Sequence, residues 1–63
     1  MPIIHAEIVA GRPWEKRQEL IERLTAAAVD SLAVAPESVR VIVTEVQPHH
    51  WAIGGKPKSL PTA

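Results

Sequence analysis

The run VRVIVTEV, from Val39 to Val46, is rich in β-branched residues and largely apolar on both of its alternating parities. That pattern fits a strand covered on both faces rather than one half in water. An earlier run, from Pro2 to about Val9, is also strand-like, with His5 and Glu7 on one parity and Ile4, Ala6 and Ile8 on the other. Between them Gly11 breaks the first strand and Pro13 suits the first turn of a helix. From Trp14 to about Ala33 the apolar residues recur at helical spacing. At 100° per residue Trp14, Leu20, Ile21, Leu24, Ala27, Ala28 and Leu32 share one face, opposite Glu15, Lys16, Glu19, Glu22, Arg23 and Asp30. A strand, a crossover of this length and a second strand make a βαβ unit, with parallel strands and a right-handed connection. The fold class is therefore α/β, a single βαβ unit. One helix covers only one sheet face, so copies of the chain are expected to bury the other against each other.

Sixty-three residues form one domain, 1–63, in a size range where a lone core is marginal. The chain has no cysteine, which removes disulfides and thiolate metal sites and fits a reducing cytoplasm. Oligomerisation is the remaining means of stabilisation. Seven basic and seven acidic side chains cancel, so no global field favours nucleic acid or an anionic membrane. No apolar run approaches the ~20 residues that span a bilayer, and the start lacks the basic and apolar regions of a signal peptide. The expectation is a soluble, unexported protein. The stretch QPHHWAIGGKPK suggests a small C-terminal hairpin or clasp around its Gly-Gly turn, and residues from about 56 to 63 read as an extended tail.

Taken together, PIIHAEIVAGR, the helix, SVRVIVTEV and HHWAIGG resemble the 4-oxalocrotonate tautomerase family, from Pro2 to about Gly55. The resemblance implies a small βαβ subunit with a C-terminal hairpin, assembled as a homohexamer, a trimer of dimers. It also implies that Pro2, freed by removal of Met1, is the general base through its secondary amine. Cationic neighbours or partial desolvation would disfavour the protonated form of such an amine. The family's substrate-binding arginines match Arg12 and Arg40, which would hold the carboxylates and the developing enolate oxygen of a dicarboxylate or 2-oxo acid. Trp51 matches an aromatic that is usually phenylalanine, with Val9 and Ile53 completing an apolar wall. The implied reaction converts a dienol such as 2-hydroxymuconate to its conjugated 2-oxo acid without metal or organic cofactor, in a site built from more than one chain.

Each residue also has a plainer reading. Arg12 could be a solvated loop cation, Arg40 could pair with a surface carboxylate, and Trp51 could be an interface anchor. Arg17 falls among the helix's apolar positions and reads as a packed stem whose head reaches water or a partner subunit. His5, His49 and His50 lack the spacing of a metal site, and His5 reads as a partly exposed surface residue. Three functions remain distinct: a tautomerase, in catabolism or biosynthesis; a Pro2-dependent hydratase or dehalogenase; and a non-catalytic oligomeric module. The second is disfavoured because no carboxylate follows Glu45 to activate water.

Overall fold

A computed structural model describes residues 1–60. Strand β1 (Ile3–Val9) leads to helix α1 (Trp14–Leu32), a 3-10 turn at Pro36–Ser38 and strand β2 (Arg40–Val46). A second 3-10 turn at Pro48–His50 precedes two short strands, β3 (Ala52–Ile53) and β4 (Lys56–Pro57). β1 and β2 pair in parallel, from Ile3 opposite Arg40 to Val9 opposite Val46. The Ala10 N–H extends this ladder, donating to the Val46 carbonyl at 2.8 Å. The βαβ unit expected from the sequence is thus the core of the fold.

Parallel partners point to the same side, so the register sorts the side chains. Ile4, Ala6 and Ile8 share one face with Val41, Val43 and Glu45, and α1 lies on that face. Ala28, 7% exposed, is the only buried residue among those described. Three residues placed on the apolar helix face by periodicity are in fact exposed: Trp14 at 53%, Leu32 at 57% and the small Ala27. Trp14 and Leu32 stand at the helix ends, and a 19-residue helix, about 28 Å long, overhangs strands of about 23 Å. The opposite sheet face, with Ile3 at 68% and Ile42 at 51% exposure, is open in the single chain. The two-sided cover expected for β2 is therefore present on one side only.

Local chemistry sets the boundaries. Pro13 sits at the N-cap rather than inside the first turn, extended and without a side-chain cap, while its carbonyl accepts from the Lys16 N–H at 3.0 Å. The helix stops at Leu32, one residue short of the expectation, because Ala33 turns left-handed with φ 54°. Arg17 donates from Nη1 to Glu45 Oε1 at 2.6 Å and lies 5.5 Å from the Trp14 ring centre. Its head is thus engaged within its own chain, contrary to the expected exit to water or a partner, because Glu45 shares the helix-side face of β2.

The C-terminal hairpin forms where GG stood in the sequence. Gly54 and Gly55 have φ of 60° and 82°, the consecutive positive values that a two-residue turn between antiparallel strands requires. Lys56 and Pro57, expected to begin the extended tail, instead form β4, with Ile53 opposite Lys56 and Ala52 opposite Pro57. Proline is tolerated there because a two-stranded ribbon has free edges. The last part of the expected tail, 61–63, lies outside the described residues. No helix among the described residues is long and apolar enough to cross a membrane.

Candidate active site

The candidate residues fall into two groups at opposite ends of the β1–β2 sheet. At the first end, the Arg40 N–H donates to the Pro2 carbonyl at 2.9 Å, the first rung of the parallel ladder. This bond fixes the half-buried proline beside the start of β2. The Arg40 side chain emerges on the open sheet face, and its Nη1 donates to the Glu37 carbonyl at 2.7 Å. It is therefore held by the backbone of the preceding 3-10 turn and not by a surface carboxylate. With Met1 attached, the Pro2 nitrogen is an amide and has no basic lone pair.

At the second end, Arg12 follows β1 and its Nη1 donates to the Val9 carbonyl at 2.9 Å, which holds the guanidinium against the strand terminus. Arg12 lines a groove of about 670 Å³ on the helix side of the sheet, floored by Ile8, Leu20 and Leu24. Lys16, Arg17 and Arg23 make that groove cationic, with Glu19 as its acidic member. Trp51 is half-buried, anchored by its N–H to the Pro48 carbonyl at 3.2 Å and by the Lys58 N–H to its own carbonyl at 2.7 Å. Beside it lies a recess of about 330 Å³ lined by Glu7, Val46, His50, Trp51 and Ala52. Val9 is half-buried at the end of β1, and Ile53 projects from the hairpin with 79% of its surface exposed.

The strand between the two ends rises about 23 Å. One chain thus brings Pro2 together with Arg40, and gathers Arg12, Val9 and Trp51 at the far end, but does not bring the two groups into contact. Arg12 and Trp51 moreover line different hollows. Of the remaining histidines, His5 shares a 2.9 Å hydrogen bond with Thr44 Oγ1 on the open sheet face, and the His49 and His50 rings meet edge-on at 4.2 Å.

Sequence reasoning missed the company that Trp51 keeps. Glu7 and His50 are distant in the chain, and only the strand register together with the 3-10 turn brings both to the same recess. A partial signal was available: Glu7 and Val9 share the parity of β1 that faces Val46, and His50 adjoins Trp51.

The family model described as "Tautomerase enzyme" matches residues 2–60. A protein named "Probable tautomerase" from Ralstonia nicotianae is 48% identical over 94% of this chain and 84% of its own length. A 2-hydroxymuconate tautomerase from a Pseudomonas species is 41% identical, with 94% of each chain covered. Among solved structures, a heterohexamer 4-oxalocrotonate tautomerase from Chloroflexus aurantiacus superposes with a TM-score of 0.87 at 36% identity, over 92% of this chain and 94% of that one. With a matching sequence over nearly its whole length, the same parallel βαβ core and the same hairpin, this chain belongs to the 4-oxalocrotonate tautomerase family and is an isomerase.

Proposed function

We propose that the protein is a cofactor-free keto-enol tautomerase of 2-hydroxydienoates such as 2-hydroxymuconate, acting in the cytoplasm as a homohexamer, a trimer of dimers. After Met1 is removed, the secondary amine of Pro2 takes the hydroxyl proton of the dienol. It then returns a proton to carbon, giving the conjugated 2-oxo acid. Arg40 and Arg12 bind carboxylate and stabilise the charge that develops on the enolate oxygen, while Trp51, with Val9 and Ile53, excludes water from the reacting atoms.

The observation that carries this reading is the 2.9 Å bond from the Arg40 N–H to the Pro2 carbonyl. It fixes the proline at a strand end next to the residue whose guanidinium, brought near a freed amine, would favour the unprotonated, basic form. The separation of Pro2 and Arg40 from Arg12 and Trp51 supports a site completed by other copies of the chain.

The test pairs intact mass with turnover. Protein whose mass shows the loss of Met1 is expected to ketonise 2-hydroxymuconate, and Pro2→Ala is expected to abolish this while leaving the assembly unchanged. A Met1-free protein that ketonises neither 2-hydroxymuconate nor an enol pyruvate faster than buffer would overturn the proposal.

A further inference from the structure

The recess beside Trp51 has one apolar side, formed by Val46, Ala52 and the indole, and one polar side, formed by the Glu7 carboxylate and the His50 imidazole. Among the described residues the Glu7 carboxylate, like those of Glu15, Glu22 and Glu37, takes part in neither an ion pair nor a side-chain hydrogen bond, whereas Glu19 and Glu45 are paired. The three arginines that gather at this end of the molecule, Arg12, Arg17 and Arg23, line the other hollow, on the helix side of the sheet. The Trp51 recess thus combines an aromatic wall with an uncompensated negative charge and a histidine that can donate or accept.

Resting on the tautomerase reading above, we infer that this recess receives the distal end of the substrate and selects a neutral, hydrogen-bond-donating group over a second carboxylate. A carboxylate placed there would meet the Glu7 charge at close range, and like charges repel. A hydroxyl-bearing ring or chain would stack on the indole and donate to the Glu7 oxygens, a charge-assisted bond stronger than a neutral one. Among the enols that the Pro2 site ketonises, the recess therefore favours a mono-acid with an uncharged donor at its far end over a diacid. Glu7 determines specificity and has no part in the proton transfer.

Three enols separate the possibilities: 2-hydroxymuconate, with a second carboxylate; the enol of phenylpyruvate, with a neutral apolar end; and the enol of 4-hydroxyphenylpyruvate, which adds one donor. Wild-type, Met1-free protein is expected to show its highest kcat/KM on the hydroxyphenyl enol. Glu7→Gln removes the charge at nearly constant shape and is expected to raise kcat/KM for 2-hydroxymuconate relative to the phenyl enol by about tenfold. Glu7→Asp keeps the charge and is expected to preserve the wild-type order, and His50→Gln is expected to shift the hydroxyphenyl to phenyl ratio more than the diacid to phenyl ratio.

A uniform change in all three rates on Glu7→Gln, or unchanged ratios, would assign Glu7 a structural role and overturn this inference while leaving the tautomerase reading intact. Absence of turnover on every enol by the wild-type protein would overturn both.

Discussion

At the scale of single residues, Pro2 is chemically silent while Met1 is attached, because an acylated nitrogen cannot accept a proton. Under the proposed function the two arginines act through their fixed positions. Arg40 is held by the Glu37 carbonyl and Arg12 by the Val9 carbonyl, so neither guanidinium must be ordered anew when substrate arrives. Arg40→Ala or Arg12→Ala is expected to lower kcat/KM by roughly 100-fold, the loss typical of one donor to a developing oxyanion. Size-exclusion mass, unchanged in both variants, separates that loss from disassembly. Lysine at either position is expected to restore only part of the rate, because an ammonium lacks the planar fork that engages a carboxylate twice. Pro2, Arg12, Arg40 and Trp51 were singled out in the sequence by the family resemblance, whose motifs they occupy. Glu7 and His50 were not, since parity alone labels Glu7 as an outward strand residue and says nothing of the turn that arrives beside it.

At the scale of elements, periodicity of two and of 3.6 located β1, α1 and β2 to within a residue or two. What it could not supply was length matching, and so Trp14 and Leu32 were assigned to a buried face that the sheet is too short to provide. The helix end offers a direct test. Ala33 carries a Cβ at φ 54°, a left-handed conformation that glycine adopts without steric cost. Ala33→Gly is therefore expected to raise stability by about 0.5–1 kcal/mol in denaturant unfolding, the relief exceeding the added entropy of the unfolded chain. The Arg17–Glu45 pair, each side chain 30% exposed, offers another. It joins α1 to β2 across the helix-side face, while Arg17 Nε is buried without a partner. Because that orphan group already lowers the value of the pair, Glu45→Gln is expected to cost about 1 kcal/mol. The double replacement Arg17→Met with Glu45→Leu is expected to be close to neutral, with the coupling read from a double-mutant cycle.

At the scale of the molecule, the single chain is extended and leaves much surface open. Its radius of gyration is 14.8 Å, against about 11 Å for a compact domain of this length. Its accessible surface is 4909 Å², against about 4,000 Å² for a folded monomer of this mass. The excess follows from the shape, 46 × 26 × 13 Å, a two-layer slab with one sheet face bare. That face carries Ile3 and Ile42 beside Arg40, His5 and Glu7, an apolar strip crossed by polar groups. The two-sided apolar character of VRVIVTEV fits a second layer supplied by another copy of the chain, an expectation that periodicity raises and for which only the family resemblance offers an arrangement. Ile42 is assigned no part in proton transfer or carboxylate binding, yet it sits near the middle of the bare face. Ile42→Lys places a charge where a homohexamer would bury an aliphatic side chain, a cost of several kcal/mol at each copy. If the face is the seam of the assembly, this variant is expected to elute well below six times the 6.9 kDa of one chain, and to lose turnover in step with its mass. Ile42→Val, which keeps the face apolar, is expected to retain both. A fully active Ile42→Lys protein of unchanged mass would mean that the subunits meet elsewhere and that the Pro2 site is completed without this face.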